Sequence, residues 1–281
     1  MSVLSDGRTA VITGAAGGIG YAIAEACLRR GMRVTIADQN EARLRRAAAD
    51  LAASGSERVQ AVVCDVRDMA SVEALRDAAL AAHGPLDLLV NNAGVGRPTK
   101  PWAEREAWDL TLGVNLWGVV HGLMAFVPGM IAEGREGAVV NLGSKQGITN
   151  PPGNAAYNVS KAGVKALTEQ LAWEFRQIEG GRLTAHLLVP GFTFTGMTSL
   201  GADEARAEKP SGAWWPDQVA QRMVEGVEAG DFYILCADNE VDWETDRKRI
   251  AWAAGDLTEG RPALSRWHPD YTEAFKTFAG S

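Results

Sequence analysis

Short runs of apolar residues alternate with longer stretches of helical periodicity from residue 9 to about residue 190. The short runs are apolar at nearly every position, which is typical of parallel strands buried on both faces. Regular strand–helix order with short connections predicts right-handed crossovers and one doubly wound parallel α/β sheet flanked by helices on both faces. The predicted strands are residues 9–13, 33–37, 59–63, 86–90, 138–142 and 183–189.

The pattern loosens after Pro190, although no repeat or long polar linker divides the chain, and we expect a single domain over residues 1–281. Residues 192–215 lack a clear period and form the predicted substrate lid. Residues 239–281 form a charged C-terminal extension that carries several tryptophans. The predicted helices are residues 19–30, 41–53, 71–82, 102–112, 114–132, 155–177, 216–229 and about 244–253, and a last strand is expected within residues 232–236.

Composition and charge narrow the classes of protein that this chain can represent. Hydrophobic residues make up 46% and charged residues 22% of the chain, as in ordinary globular proteins. No run approaches the ~18 consecutive apolar residues of a membrane-spanning helix, and no signal peptide is expected. The net charge of -7 argues against a nucleic-acid binder that holds phosphates. Three dispersed cysteines favour a reducing cytoplasm, and neither a disulfide framework nor a metal site is expected.

A glycine-rich turn, Thr13-Gly14-Ala15-Ala16-Gly17-Gly18-Ile19-Gly20, joins the first predicted strand to its helix. Glycines let the chain turn sharply and let a phosphate approach the helix N-terminus, where unpaired N–H groups and the helix dipole favour negative charge. The spacing G-x-x-x-G-x-G differs from the commoner dinucleotide fingerprint G-x-G-x-x-G. A plain tight turn would also use these glycines, but their place between a strand and a helix favours a dinucleotide site in a Rossmann-type sheet.

Two carboxylates follow neighbouring predicted strands. Asp38 ends the second strand, where a carboxylate can accept both ribose hydroxyls of an adenosine and would repel a 2′-phosphate. It could instead cap the helix that begins at Glu41. Gln39 and Asn40 supply no positive charge for a phosphate, so NAD is the expected cofactor rather than NADP. Asp65, after the third strand, could cap its own turn or accept a hydrogen bond from the adenine amino group.

Tyr157 and Lys161 lie four residues apart in a predicted helix, so their side chains share one face. A lysine ammonium beside a phenol lowers the phenol's pKa from about 10, and a phenol tuned towards neutrality can pass a proton at physiological pH. Helices carry many such pairs on their surfaces, so the pair alone is weak evidence. Here it follows a buried predicted strand that ends at Gly143-Ser144, which adds a hydroxyl group.

The whole set of motifs resembles the short-chain dehydrogenase/reductase family, in the family's order and on the expected elements, over residues 8 to about 195. The ordered set is far more specific than any one motif. The matching residues are the turn from Thr13 to Gly20, Asp38, Asp65, Val66, Asn91, Asn92, Ala93, Gly94, Asn115, Ser144, Tyr157, Lys161, Pro190 and Gly191.

The resemblance implies roles for four catalytic residues. Tyr157 takes the role of general acid/base, and Lys161 binds the nicotinamide ribose and lowers the pKa of Tyr157. Ser144 hydrogen-bonds the substrate oxygen and stabilises a developing alkoxide. Asn115 holds a water that links Lys161 to solvent. Two simpler roles stay open: Asn115 could only brace its helix, and Ser144 could only cap the loop after its strand.

The resemblance also places a nicotinamide cofactor and a substrate outside the carboxyl ends of the strands. The predicted cofactor residues are Gly14, Gly18, Ile19, Gly20, Asp38, Asp65, Val66, Asn92, Ala93, Gly94, Tyr157, Lys161, Pro190, Gly191, Thr193 and Thr195. The predicted substrate residues are Ser144, Gln146, Asn154, Tyr157 and Phe192. The walls of the substrate pocket are expected to be residues 146–154, the segment after Gly94 and the lid, whose apolar side chains are Phe192, Phe194, Met197, Trp214 and Trp215, with Arg206 and Lys209 as nearby cations.

These residues predict an NAD-dependent oxidoreductase that transfers a hydride between an alcohol and the nicotinamide. Apolar walls favour a hydrophobic or aromatic secondary alcohol, because a phosphate or carboxylate would need a paired cation. The alternatives are an NADP-linked carbonyl reductase, which Asp38 opposes, and an NAD-binding regulatory protein without catalysis, which the four catalytic residues oppose. Neither a nucleic acid nor a membrane is an expected partner.

Assembly and the C-terminal extension are less constrained by the sequence. The helices at 114–132 and 155–177 carry more apolar positions than one sheet face needs, which predicts a homodimer, as in relatives that pair through a four-helix interface. A homotetramer stays open, because the chain after residue 232 departs from the family's usual ending. The extension at 239–281 could fold back and narrow the entrance to the pocket.

Overall fold

The computed structural model describes residues 2–53, 58–196 and 208–280. In this part of the chain one parallel sheet of seven strands has the order β3-β2-β1-β4-β5-β6-β7. The strands are β1 (Thr9–Thr13), β2 (Arg33–Asp38), β3 (Val59–Val63), β4 (Leu88–Asn91), β5 (Gly137–Leu142), β6 (Leu183–Val189) and β7 (Tyr233–Leu235). The strand order reverses between β1 and β4, and sheets of this kind bind ligands outside the carboxyl ends of the strands at that point.

Helices cover both faces of the sheet, as expected for a doubly wound fold. They are α1 (Gly18–Arg29), α2 (Glu41–Ala53), α3 (Met69–His83), α4 (Arg105–Leu112), α5 (Gly118–Glu133), α6 (Gln146–Thr149), α7 (Ala155–Gln177), α8 (Pro216–Ala229), α9 (Trp243–Thr258) and α10 (Thr272–Gly280). Residues of α1, α2 and α8, such as Ile23 and Met223, form an apolar cluster on one face. Residues of α3, α5 and α7, such as Leu75 and Phe126, form a second cluster on the other face.

The predicted strands and helices are present, and where their observed ends differ from the predicted ends the structure shows the reason. The helix predicted at 102–112 begins later, as α4, because Glu104 adopts a left-handed conformation with φ 60° that breaks the helical path. Helix α3 begins earlier than predicted, because Asp68 caps it by accepting a hydrogen bond from the Ala70 backbone N–H. The last strand expected within 232–236 is β7, which pairs in parallel with β6.

A π-helical turn, Gly113–Trp117, joins α4 to α5. The backbone N–H of Gly118 bonds to the carbonyl of Gly113, five residues back, so this turn holds one residue more than an α-helical turn. Asn115 lies inside the turn and is fully buried. The sequence predicts two separate helices here and gives no sign of the wide turn between them.

The C-terminal extension folds into α9 and α10, of which only the first was predicted, and α9 is longer than expected. Trp252 of α9 organises this part of the chain. Its indole N–H donates a 2.7 Å hydrogen bond to the Ser265 hydroxyl, and the Arg261 guanidinium lies 4.0 Å from a ring centroid. The ring of Phe275 in α10 meets it edge-on at 5.4 Å. These contacts hold α10 against α9.

One helical stretch among the described residues, Arg105–Glu133, is long and apolar enough by length and composition to cross a membrane. Half of its most apolar window is buried inside the protein, and core helices of globular proteins pass the same test. The stretch is therefore weak evidence for a membrane span. The absence of a membrane partner stays a prediction.

Candidate active site

A cavity of about 730 Å³ lies along the carboxyl ends of the strands. It extends from Asp38 at the end of β2, past the glycine turn, to Ser144 after β5 and Pro190 after β6. Its volume is in the range of pockets that hold small molecules and cofactors. One continuous space therefore connects the predicted adenosine, pyrophosphate and substrate positions.

The start of the glycine turn is fixed against the end of β4. Gly14 has φ +64°, and a Cβ added there would lie 2.7 Å from the Cα of Ala93, so only glycine fits. The Asn92 side-chain amide donates hydrogen bonds to the carbonyls of Thr13 (2.8 Å) and Gly14 (3.1 Å). The Thr13 hydroxyl accepts from the backbone N–H groups of Asn92 and Ala93, both at 3.1 Å. This network gives the floor of the cavity a defined shape.

The end of the glycine turn opens α1 towards the cavity. Gly17, Gly18 and Ile19 line the space, and no side chain of the described residues caps the helix N-terminus. Uncapped N–H groups at a helix N-terminus bind phosphate well, so this position fits a pyrophosphate. Gly20 does not line the cavity: a Cβ there would collide with the Asn92 side-chain amide and the Gly14 carbonyl. Its role is close packing of the turn.

Asp38 lines the cavity at the end of β2 and does not cap α2. Asn40 caps that helix, because its side-chain oxygen accepts a 3.0 Å hydrogen bond from the backbone N–H of Arg43. Asp38 Oδ1 accepts a 2.9 Å hydrogen bond from the backbone N–H of Asn40, and Oδ2 has no hydrogen bond within the described part of the chain. The carboxylate is therefore placed to accept hydroxyl groups from a ligand.

Arg43 lines the same end of the cavity and was not predicted. A Cβ added at Gly17 would lie 3.0 Å from Arg43 Nη2, so the guanidinium lies over the glycine turn. The expectation that no cation lies near Asp38 rests on Gln39 and Asn40. Helix α2 begins at the carboxyl edge of the sheet, separated from the end of β2 by these two residues, so Arg43 in its first turn also lies at this edge. A cation therefore stands near Asp38.

Asp65 caps its own turn and is paired with Arg67. Its Oδ1 accepts from the backbone N–H of Arg67 at 3.0 Å, and its Oδ2 lies 2.6 Å from Nη2 of that arginine. These hydrogen bonds hold the pKa of the Asp65 carboxyl below its usual value. Asp65 also lines the cavity, but a bond to an adenine amino group would have to share the carboxylate with Arg67.

Tyr157 and Ser144 line the cavity together, and Lys161 lies beneath them. Lys161 is 3% exposed, its Nζ donates a 2.7 Å hydrogen bond to the carbonyl of Leu142, and Nζ lies 5.8 Å from the Tyr157 ring centroid. Burial lowers the pKa of Lys161 from 10.5 to about 8. A proton-carrying phenol, a hydroxyl and a lysine of lowered pKa therefore meet at one place.

The expected lowering of the Tyr157 pKa by Lys161 is not found. Burial raises the pKa of the phenol above 10, and the Ser144 hydroxyl opposes that rise. The Lys161 ammonium donates its hydrogen bond to the Leu142 carbonyl, and burial disfavours the charged form of this lysine, which lowers its pKa. The tyrosine is thus in its protonated form at neutral pH in this arrangement.

The Asn115 side chain links two segments beside the cavity through hydrogen bonds. Its Oδ1 accepts a 2.8 Å hydrogen bond from the backbone N–H of Val95, and its Nδ2 donates to the Val95 carbonyl (2.9 Å) and to the Ser160 hydroxyl (3.1 Å). Both amide protons are therefore used. The side chain braces the segment after Gly94, which lines the cavity, against helix α7.

The aromatic residues of the predicted lid have mostly structural positions. Phe192 lines the cavity, whereas Phe194 is buried and meets Trp215 edge-on at 5.6 Å. Trp214 packs against the apolar cluster of α1 and α8, and its backbone exchanges 2.9 Å hydrogen bonds with the carbonyl of Phe192 and the N–H of Phe194. Lys209 donates to the carbonyl of Ala213 instead of pointing into the cavity. Met197 and Arg206 lie outside the described residues.

Fourteen of the sixteen predicted cofactor residues line the cavity, as do all five predicted substrate residues. The exceptions are Gly20 and Lys161, which lie just beneath its surface.

Within residues 2–53, 58–196 and 208–280, no group of three or more histidine, cysteine, aspartate or glutamate side chains could hold a metal ion, and the expected lack of a metal stays a prediction. Val95 and Pro98 line the cavity from the segment after Gly94 that was predicted as a wall, whereas Arg43, Val114 and Lys145 line it without having been predicted.

The model of the short chain dehydrogenase family matches residues 8–205 of this chain. With the parallel sheet and the cavity described above, this match shows that the chain belongs to the short-chain dehydrogenase/reductase family of oxidoreductases, whose members bind nicotinamide cofactors and act on small molecules.

Two curated relatives have different substrates in their names. A hydroxy-methyl-oxo-hexahydro-indene-carboxyl-CoA reductase of Mycobacterium tuberculosis is 42% identical over 61% of this chain and 66% of that protein. A D-threitol dehydrogenase of Mycolicibacterium smegmatis is 35% identical over 78% of this chain and 85% of that protein. The chain is thus similar both to a reductase of a bicyclic substrate and to a polyol dehydrogenase.

Two solved structures hold different cofactors. A family member from Burkholderia phymatum in complex with NAD superposes with a TM-score of 0.81, at 34% identity over 91% of this chain and 96% of that one. An alcohol dehydrogenase from the archaeon Thermococcus sibiricus with 5-hydroxy-NADP superposes with a TM-score of 0.72, at 27% identity over 83% and 96%. Both forms of the nicotinamide cofactor are therefore bound by relatives of this chain.

Proposed function

We propose that this protein is an NAD-dependent dehydrogenase that transfers a hydride between a hydrophobic or aromatic secondary alcohol and the nicotinamide. The observation that carries the proposal is the placement of two groups in one cavity: the Asp38 carboxylate at one end and the Tyr157 and Ser144 hydroxyls at the other. The turn between them, with its uncapped helix N-terminus, fits a pyrophosphate. The proposal covers a single catalytic domain, within which residues 192–215 act as the lid.

The proton chemistry falls to residues of this chain. A bound nicotinamide supplies the hydride acceptor or donor. Tyr157 takes the alcohol proton in oxidation and returns it in reduction, which requires its phenol within hydrogen-bond reach of the substrate oxygen. Ser144 donates a hydrogen bond to that oxygen and stabilises the alkoxide that develops. Lys161, buried beside them, holds the ribose and relays the proton to solvent, and Asn115 keeps the Val95 wall in place.

The preference for NAD rests on Asp38. Its carboxylate can accept the two ribose hydroxyls, and it repels a 2′-phosphate that would replace one of them. Arg43 is the observation that favours the NADP-linked carbonyl reductase as a second candidate, because its guanidinium stands over the glycine turn near Asp38. We give Asp38 the larger weight, because it lies on the rigid end of β2, whereas Arg43 is an exposed side chain on α2.

The substrate class rests on the wall beyond Tyr157. Its side chains include Val95, Pro98 and Phe192, which are apolar. The cation among the described lining residues at this end is Lys145, which is already paired with carboxylates. A phosphorylated or acidic substrate would need a cation of its own, since burying a charge without one is costly. Among the relatives, the indene ring in the substrate name of the carboxyl-CoA reductase agrees with an apolar wall, whereas the CoA ester, which carries phosphates, and D-threitol do not.

The compartment and the assembly complete the proposal. The three cysteines are buried free thiols, which agrees with a reducing cytoplasm. The π-helical turn and α5 expose Trp117, Met124 and Ile131 at seven-residue spacing, and α7 exposes Trp173. Residues seven apart share one helix face. Exposed apolar side chains on two neighbouring helices favour a homodimer that covers them.

The decisive experiment is a screen of alcohols with NAD and with NADP, followed by the absorbance of the reduced nicotinamide. We expect reduction of NAD with secondary alcohols. Reduction of NADP with comparable efficiency would favour the second candidate. Tight NADH binding without turnover of any alcohol or carbonyl would identify a regulatory protein and contradict the proposed activity.

A further inference from the structure

Lys145, the residue directly after Ser144, is held by two carboxylates in a largely buried cluster. Its Nζ lies 2.5 Å from Asp246 Oδ2 and 3.3 Å from Asp238 Oδ2. The side chain of Lys145 is 16% exposed, that of Asp246 is 7% exposed and that of Asp238 is 8% exposed. Arg249 lies 3.9 Å from Asp246 Oδ1 and balances the second negative charge. Charges so far out of solvent depend on one another for compensation.

The two carboxylates reach the cluster from the end of the chain, beyond the residues that the family model matches. Asp238 follows β7, and Asp246 belongs to the first turns of α9. Helix α9 has supports within the extension that do not involve Lys145: Asp242 caps it by accepting from the Thr245 backbone N–H at 2.8 Å, and Trp252 packs on Phe275 of α10. The extension therefore presents Asp246 on a capped and internally braced helix.

Lys145 itself joins two walls of the cavity. Its carbonyl accepts hydrogen bonds from the backbone N–H groups of Ile148 and Thr149, so it begins α6, and α6 packs against α9. On the other side, a Cβ added at Gly191 would lie 3.0 Å from Lys145 Nζ and 2.6 Å from Asp238 Oδ2. The cluster therefore lies under the backbone that follows β6, where the lid begins.

We propose that Asp246 and Asp238 are positioning residues of the active site, and that the C-terminal extension acts through Lys145 to fix the Ser144 hydroxyl, helix α6 and the Pro190–Phe192 backbone around the substrate. None of the residues of 239–281 lines the cavity within the part that the structure describes, so the extension does not act by touching substrate. The inference deepens the proposed function, on which its kinetic part rests.

The physical reason is that helix α6 is short and depends on Lys145 to stay in place. Helix α6 is a single turn and has little stability of its own, since isolated short helices are unstable in water. Lys145 begins this helix, and the ion pair to Asp246 joins Lys145 to α9, which Trp252 braces against α10. A catalytic hydroxyl next to an untethered Lys145 would be displaced from the substrate oxygen, and a displacement of about 1 Å can cost on the order of 10²-fold in rate.

The test compares Asp246→Asn with Glu244→Gln in the full-length protein. Both substitutions remove one negative charge from α9, but Glu244 is exposed and pairs only with Lys248 among the described residues, at 3.4 Å. We expect Asp246→Asn to lower kcat/KM for the alcohol by about tenfold to a hundredfold. The Kd for NADH should change much less, because Asp38 and the glycine turn lie away from the cluster and only the Pro190–Gly191 stretch of the cofactor site borders it. Glu244→Gln should leave both constants at wild-type values.

Amide hydrogen exchange gives a second readout that does not require activity. Asp246→Asn should accelerate exchange of the Gly147, Ile148 and Thr149 amides, which are bonded to the carbonyls of Ser144 and Lys145, and leave the β5 amides protected. If Asp246→Asn does not fold, the paired variant Lys145→Gln with Asp246→Asn removes both charges together and should show the same acceleration.

Equal exchange and equal kinetics for Asp246→Asn and Glu244→Gln, or wild-type exchange in the paired variant, would overturn the inference. A wild-type protein without dehydrogenase activity would instead contradict the proposed function. The exchange measurement would then still decide whether the extension holds α6.

Discussion

Lys161 donates its hydrogen bond to the carbonyl of Leu142, at 2.7 Å, and not to the phenol of Tyr157, whose ring centroid is 5.8 Å from Nζ. The carbonyl belongs to the last residue of β5, so the ammonium is tied to the sheet beneath the cavity. Each of the two groups has a pKa displaced by burial, downwards for Lys161 and upwards for Tyr157. Both displacements favour uncharged forms, and they have measurable consequences.

The first prediction concerns stability against pH. The pKa of Lys161 is about 8 in the folded protein and near 10.5 in the unfolded chain, so between these values the unfolded chain binds the extra proton. The stability contributed by this group should therefore rise by about 2 kcal/mol from pH 7 to 9.5, against an opposing fall from the three buried cysteines, whose pKa values are raised by burial. Urea unfolding of Lys161→Met should lack this rise. Lys165→Met, one turn further along α7, is the control and should keep it; a persistent rise in Lys161→Met would contradict the prediction.

The second prediction concerns the acid/base. Tyr157→Phe removes the transferable proton and leaves the ring and the rest of the cavity, so turnover should fall by about 10²- to 10⁴-fold while NADH binding persists. Tyr271→Phe, in the extension, should have wild-type turnover. In the wild type, alcohol oxidation should become faster with rising pH, because the raised pKa keeps the phenol protonated at neutral pH. Normal turnover of Tyr157→Phe would assign the base elsewhere.

Much of the architecture could be predicted from the sequence because it depends on local patterns. Buried parallel strands must be apolar on both faces, and the predicted and observed bounds of β1, β3 and β6 agree. The glycine turn and the Tyr157–Lys161 pair are likewise local, since their geometry is set by a few neighbouring residues. The residues of these motifs line the cavity or lie directly beneath it.

The third prediction concerns cofactor choice. The wild type should prefer NAD, and Asp38→Asn should narrow the preference for NAD over NADP by about tenfold to a hundredfold, since hydrogen bonds to charged groups contribute about 1.5–3 kcal/mol. Adding Arg43→Ala to that variant should weaken NADP binding specifically, and Arg46→Ala, on the same helix, should not. The measurement is kcat/KM and Kd for both cofactors. Comparable use of both by the wild type would refute the role given to Asp38.

The fourth prediction concerns assembly. Light scattering at micromolar concentration should give about twice the chain mass of 30.0 kDa. Met124→Glu places a charge in the exposed apolar face of α5 and should shift the protein towards the monomer, because an unpaired charge is costly in an apolar interface. Leu257→Glu, at a 90% exposed position of α9, is the matched control. A monomeric wild type would rule out the proposed dimer.

The fifth prediction concerns the substrate wall. Aryl-alkyl carbinols should be oxidised more efficiently than polyols or hydroxy acids at equal concentration. Phe192→Ala should lower kcat/KM for the aryl substrates by about tenfold or more and change that of small alcohols little, because the lost contact is apolar area that only large substrates cover. Polyols or acids oxidised at least about tenfold more efficiently than the carbinols would show that the wall has been misassigned.

The features that sequence reasoning missed depend on contacts between distant segments. Arg43 reaches Gly17 because α2 begins beside the glycine turn at the carboxyl edge of the sheet, and Lys145 meets Asp246 because α9 packs on α6. No residue spacing along the chain predicts the second of these pairs. The roles of the lid aromatics stay open in the sequence for a related reason: these residues are suited equally to lining a pocket and to packing, and in the structure Trp214 and Phe194 pack.

The π-helical turn Gly113–Trp117 links two surfaces through the number of residues that it contains. It aims Asn115 inwards at the Val95 backbone and, two residues later, turns Trp117 outwards to the apolar face of α5. The wide turn holds one residue more than an ordinary helical turn, so losing one residue here would restore ordinary helical bonding and leave one position fewer between the inward and the outward side chain. The catalytic cavity and the external apolar face therefore both depend on the number of residues in this turn, which insertion or deletion alters and side-chain substitution leaves unchanged.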